Sequence, residues 1–140
     1  MEGFYQWYVP VAQKVDGTTH SDFAIQHKGR AFSPELWKLL REESNAQAKC
    51  RDIIGIDLDP FLISADEENY EVGEIAKEGG NYRAEIYGVR SGKRLATPIL
   101  IAEFSGTAGH WFFVNFHYPN SADLLTMLRV PRPVCSMPIH

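Results

Sequence analysis

His110-Trp111-Phe112-Phe113-Val114-Asn115-Phe116-His117-Tyr118 is the stretch on which the fold turns. Aromatic and β-branched residues fill it, and Pro119-Asn120-Ser121 ends it, so it reads as a strand of about eight or nine residues. Neighbouring side chains of a strand point to opposite faces. Phe112, Val114, Phe116 and Tyr118 therefore form one row, and Trp111, Phe113, Asn115 and His117 the other. Three more period-2 segments precede it, at Tyr70–Lys77, Tyr82–Arg90 and Leu95–Phe104. They are joined by the short turns Glu78-Gly79-Gly80-Asn81, Ser91-Gly92-Lys93 and Gly106–Gly109. Short connections make this a four-stranded antiparallel meander.

Ahead of the sheet the period is helical. Phe4, Trp7, Tyr8 and Val11 recur at i, i+3, i+4 and i+7, with Pro10 expected to end or kink that helix near Val9. A second short helix runs from Ser21-Asp22 to about Lys28 and closes at Gly29. The third has the clearest start. Ser33-Pro34-Glu35 supplies a capping hydroxyl, a proline at the first helical position and an acid in the first turn. Its face is expected to hold Trp37, Leu40, Ser44 and Ala48, and it reaches about Lys49 or Cys50. Residues 52–69 are mostly connection, and Ala122–Arg129 is a last helix stopped by Pro131. The expected architecture is α+β: three N-terminal helices packed on one face of a curved four-stranded antiparallel sheet, with a short C-terminal helix. Residues 1–130 form one domain and 131–140 an irregular tail.

Grouping the apolar rows gives an inner face of Ala84, Ile86, Leu100, Ala102, Phe104, Val114 and Phe116, with Tyr82 and Tyr118 at its rims. The opposite face is mixed. It carries Arg83, Glu85, Tyr87, Leu95, Ile99, Ile101, Glu103, Trp111, Phe113, Asn115 and His117. A plain solvent face would not hold so many large apolar groups, and apolar side chains interleaved with charges resemble a protein–protein or homodimer surface. Two other readings stay open: cover by the C-terminal tail, and a β-bulge that exchanges the two faces.

The chain has 140 residues with 14 Lys+Arg against 18 Asp+Glu, a formal charge of −4. An acidic balance excludes general nucleic-acid binding, which needs a basic footprint. No apolar run reaches the ~20 residues of a membrane-spanning helix. The charge is uneven: Asp52 to Glu78 holds nine acids and one base, whereas Gly79 to Arg94 holds four bases and one acid. Solvated loops and strand edges account for this, and so would the steering of a basic partner.

Sites of chemistry are few. Asp57, Asp59 and Asp66-Glu67-Glu68 do not have the spacing of a calcium loop, and the five histidines and two cysteines lack zinc spacing, so no metal or cofactor is expected. Glu103 and His117, with Asn115 and Tyr87, are the one plausible acid–base group, which reads more readily as a surface salt bridge or an interface pair than as a catalytic pair. Asp57, Asp59, Tyr82 and Tyr118 could offer polar atoms to a pocket between sheet and helices. Cys50 and Cys135 are either a disulfide pinning the tail to the helical layer or two free thiols.

Several segments taken in order carry a resemblance: Phe4-Tyr5-x-Trp7-Tyr8, Asp57-x-Asp59-Pro60-Phe61, Tyr70-Glu71-Val72-Gly73, and Trp111 to Asn115 followed by Phe116-x-Tyr118-Pro119. Over about residues 3–130 the chain resembles a bacterial domain-of-unknown-function family that includes envelope lipoproteins and small exported proteins. The resemblance implies a cone of helices on a curved sheet, similar to nuclear transport factor 2 and the cystatins. It transfers no catalytic residue. It also implies a periplasmic or envelope location. A helix beginning almost at Met1 leaves no room for a leader. Either a leader has been removed, in which case a lipid anchor is compatible with the chain, or the protein is cytoplasmic.

The leading expectation is thus a non-enzymatic envelope protein, of immunity or inhibitor type, that binds a protein partner or a second copy. Its contact residues would be Tyr87, Ile99, Ile101, Glu103, Trp111, Phe113, Asn115 and His117. The alternatives are a small-ligand-binding cone and a pocket enzyme of the dehydratase or isomerase type. The expected inner face carries no acid and no histidine, which weighs against the enzyme.

Overall fold

A computed structural model of the chain describes residues 2–12, 20–50, 59–63, 67–107, 110–131 and 135. It is α+β. The helices are α1 (Glu2–Ala12), α2 (His20–His27), α3 (Pro34–Ala48) and α4 (Leu124–Arg129), with a 3-10 turn at Gly29–Ala31. The strands are β1 (Asn69–Glu78), β2 (Asn81–Arg90), β3 (Lys93–Arg94), β4 (Leu100–Thr107) and β5 (His110–His117). All pairings are antiparallel, in the order β1-β2-β4-β5, with β3 beside the end of β2.

The sheet has five strands rather than four, because the expected strand Leu95–Phe104 is interrupted. Leu95 donates its amide to Gly88 O at 2.9 Å and Ile99 donates to Ile86 O at 2.8 Å. Three residues, Ala96-Thr97-Pro98, therefore stand opposite the single residue Tyr87 and must leave the ladder. Pro98 has no N–H to give it. At the other end β4 runs on to Thr107.

The N-cap of α3 forms as its sequence dictates, with Ser33 Oγ accepting from Leu36 N at 3.1 Å. Its buried row is Leu36, Leu40 and Glu43: Leu40 faces the core as expected, but Trp37 and Ser44 are only partly buried and Ala48 is exposed, so the core-facing side is rotated toward Leu36 and Glu43. Pro10 does not end α1. It sits at an exposed position, where the lost backbone bond falls on the solvent side, and the helix continues to Ala12. α4 starts two residues later than expected because Asp123, not the Asn120-Ser121 turn, is its cap and accepts from Thr126 N at 3.1 Å.

The largest correction is in β5. Ala102 pairs with Phe116 and Glu103 with Asn115, but Phe104 pairs with Phe113, so Val114 is an extra residue in the ladder. This bulge exchanges the faces of everything before it. Phe113, expected outside, is fully buried, and so is Phe116, three residues away. Their rings lie 4.9 Å apart, and Phe113 meets Phe4 at 5.2 Å. Phe61 meets Phe116 and Phe32 at 5.3 Å each. This aromatic cluster, with Tyr8, Leu36, Ile86 and Leu100, is the core between the sheet and α1 and α3. Cys50, at the end of α3, and Cys135 form a disulfide across 85 residues. In the chain-entropy model a loop of that size contributes on the order of 4–5 kcal/mol.

Candidate functional site

Alternation from the paired residues places Glu71, Arg83, Glu85, Tyr87, Ile101, Glu103, Asn115 and His117 on the face turned away from the core. On this outer face Glu103 is the most connected group. Its Oε1 lies 2.6 Å from His117 Nε2, its Oε2 accepts from Asn81 Nδ2 at 2.8 Å, and Arg83 approaches to 3.8 Å. Burial alone would raise the Glu103 pKa. Hydrogen bonds from His117 and Asn81, and the charges of His117 and Arg83, outweigh that and hold it below the ordinary carboxylate value.

Next to this group Tyr87 lies flat along the sheet. A side chain at Gly73 would meet its ring at 2.5 Å, so glycine there is what lets the ring cross β1. The Arg94 guanidinium stands 4.7 Å above the same ring and binds Glu71 Oε2 at 3.0 Å. The Tyr87 hydroxyl donates to Glu85 at 2.8 Å, the main cause of a raised phenol pKa.

Asn115 is buried rather than offered to a partner. Its Oδ1 accepts from Phe116 N and Leu125 N at 2.9 and 3.0 Å, and its Nδ2 donates to Asp123 at 2.9 Å, which ties α4 to β5. Of the eight expected contact residues, Tyr87, Ile101, Glu103 and His117 remain together and half-exposed. Phe113 is in the core. Trp111 has turned to the inner side, edge-on to Phe113 at 5.4 Å, and Ile99 packs against the core from the segment that leaves the ladder. Arg94, Glu71 and Asn81 join the group without having been singled out. The face of β1 is obscured by a second bulge between Val72 and Ile75, and a turn asparagine gives no cue to its reach.

The expected pocket groups separate differently. Asp57 lies outside the described residues. Asp59 accepts from Phe61 N, Leu62 N and the Tyr8 hydroxyl at 2.9, 3.2 and 2.7 Å. Tyr118 and Tyr5 donate to the carbonyls of Pro60 and Phe61 at 2.8 and 3.1 Å. Burial first, and then the Asp59 charge, push both phenols well above their ordinary pKa, so they stay protonated donors. Three tyrosines thus anchor the Asp59–Ile63 turn, and the turn drives Phe61 and Leu62 into the core. Tyr82 takes no part. It is 37% exposed and stacks on Phe104 at 5.4 Å.

The uneven charge is folded against itself. Arg90 clasps Glu67 through two bonds of 2.7 and 3.1 Å, Ser91 N donates to Glu68 at 3.1 Å, and Arg83 lies 3.6 Å from Glu78. No family model, curated protein or solved structure matches the chain. Among the described residues no helix is long and apolar enough to cross a membrane, and no cluster of His, Cys, Asp or Glu is placed to hold a metal ion.

Proposed function

We propose that the protein is a non-enzymatic binding module of the bacterial envelope, of the nuclear transport factor 2-like or cystatin-like kind, acting on a basic protein partner through its outer sheet face. One observation carries the reading. Around the half-exposed Tyr87 and Ile101 the outer rows hold five carboxylates, Glu71, Glu74, Glu78, Glu85 and Glu103, against two arginines, Arg83 and Arg94. An apolar centre with an acidic surround suits a partner surface rich in Lys and Arg. The disulfide supports an oxidising compartment. A ligand or substrate held between helices and sheet would need the space that Phe61, Leu62, Phe113 and Phe116 fill.

The test is affinity capture from the envelope fraction of the native host, read by mass spectrometry. Wild type should enrich a basic protein, and Tyr87→Ala with Ile101→Asp should reduce that enrichment about tenfold or more while circular dichroism stays unchanged. Capture indifferent to both substitutions, or an acidic partner, overturns the reading.

A further inference from the structure

The outer-face reading draws on the carboxylates of β1 but leaves unused the backbone groups along that strand's free edge, and the inference that follows shares those carboxylates with it. Among the described residues no strand pairs with that edge. α1 flanks only its first part, where Tyr5, Gln6, Val9 and Pro10 face residues 68–72 across an open groove of about 530 Å³. From Glu74 to Glu78 every residue is exposed, because the β1–β2 hairpin runs on past the core. The turn that allows this has Gly79 and Gly80 at φ 60° and 89°, as a tight two-residue hairpin requires.

Natural edges of this length are protected by charge, proline, a bulge or cover, and here Glu74, Lys77, Glu78 and one bulge are the protection. The bulge guards only residues 73 and 74, and beyond it Ile75 is 49% exposed on the core-side row with Val72 behind it. The outer row of the same edge is acidic, with Glu71, Glu74 and Glu78; Glu74 makes no ion pair among the described residues, and Glu78 meets only a half-exposed Arg83.

We infer that β1 accepts an extended segment of a partner protein as an additional strand. That segment alternates Lys or Arg, facing the Glu74–Glu78 row, with apolar residues beside Val72 and Ile75. Backbone bonds along the edge give the affinity, and the two rows give the specificity. A second copy of the chain fits less well, because its own β1 brings the same acidic bias, three glutamates against Lys77.

Synthetic peptides of about ten residues, a strand's usual upper length, test this by fluorescence anisotropy with the full chain. An alternating Lys/Val peptide should bind and should slow hydrogen exchange of the Ile75–Glu78 amides. The same peptide N-methylated at alternate residues keeps its charge but cannot complete a ladder, and it should bind about tenfold more weakly or worse. Glu74→Lys with Glu78→Lys should cost a similar factor, and a Glu/Val peptide should not bind. Any of three results overturns the inference: no binding of Lys/Val, equal binding of its N-methylated form, or a wild-type dimer that protects these amides without peptide.

Discussion

The two long edges of the sheet have opposite fates. At β5 the edge is closed. Phe32 bridges to Phe113, Ser33 N donates to Phe113 O at 2.8 Å, and Asp123 bridges to His117 at the other end. At β1 the edge is open from Glu74 onward and lined with charge. Each strand carries a bulge, yet the consequences differ. In β1 the extra residue falls where the strand leaves the core, between Val72, which still packs against it, and Ile75, which is 49% exposed. In β5 it falls under the helices and delivers Phe113 and Phe116 to the same side. Register matters to stability only where one face is buried.

The contrast makes its largest prediction at the two apolar residues near the bulges. Phe113→Ala removes a fully buried ring from a packed aromatic cluster and should cost about 3–5 kcal/mol. Ile75→Ala should stay within about 0.5 kcal/mol, as surface changes do. Urea unfolding at neutral pH measures both. Comparable losses at the two sites would mean that the β1 hairpin is packed, and the comparison would fall.

The same contrast explains what could be read from the sequence. The α+β class, the Ser33 cap, the β1–β2 turn and the approach of Glu103 to His117 follow from local patterns that need nothing distant. The face of β5 did not follow. From Trp111 to Phe116 all positions but Asn115 are apolar, so alternation there gives no phase, and no glycine marks the bulge at Val114. The partners that favour this register, Phe4 and Phe32 against the Phe113 ring, lie outside the strand. The role of Asp59 was hidden for a similar reason. Its partner Tyr8 is 51 residues away, and in the sequence Tyr8 reads as a member of an apolar stripe rather than as a donor. The charge segregation is visible in the sequence, but not its internal pairing, because Arg90 and Arg94 meet Glu67 and Glu71 only across the fold.

A smaller effect is expected at Asn115, which closes the β5 edge through polar contacts. Asn115→Ala leaves the Leu125 amide without its acceptor and takes one donor from Asp123, which keeps those of Thr126, and should cost about 1–3 kcal/mol. Hydrogen exchange sharpens the outcome. In the variant the α4 amides should lose protection while those of Ile86 and Ala102 keep it. Uniform loss across the sheet would show that α4 and the sheet open together, and that the edge is not a separable closure.

The smallest effect is one of pH, and it too lies on the β4–β5 side. Burial acts to raise the pKa of both Glu103 and Asp123. For Glu103 the bonds from His117 and Asn81 prevail, and for Asp123 those from Asn115 and Thr126, so both carboxyls titrate below their ordinary values. In the unfolded chain Glu and Asp take up protons near pH 4.3 and 3.9, roughly. A carboxyl whose folded pKa is depressed favours the native state above the unfolded value, and this contribution is lost as pH falls through the folded one. The urea midpoint of the wild type should therefore hold from pH 7 to about 5 and decline below about 4.5. Glu103→Gln keeps a group able to bond Asn81 but gives up the charge beside His117 and Arg83. Its deficit against the wild type should be present at pH 7 and close toward pH 3. A deficit that persists at pH 3 would assign the loss to packing instead, and Glu103 would cease to distinguish the closed side of the sheet from the open one.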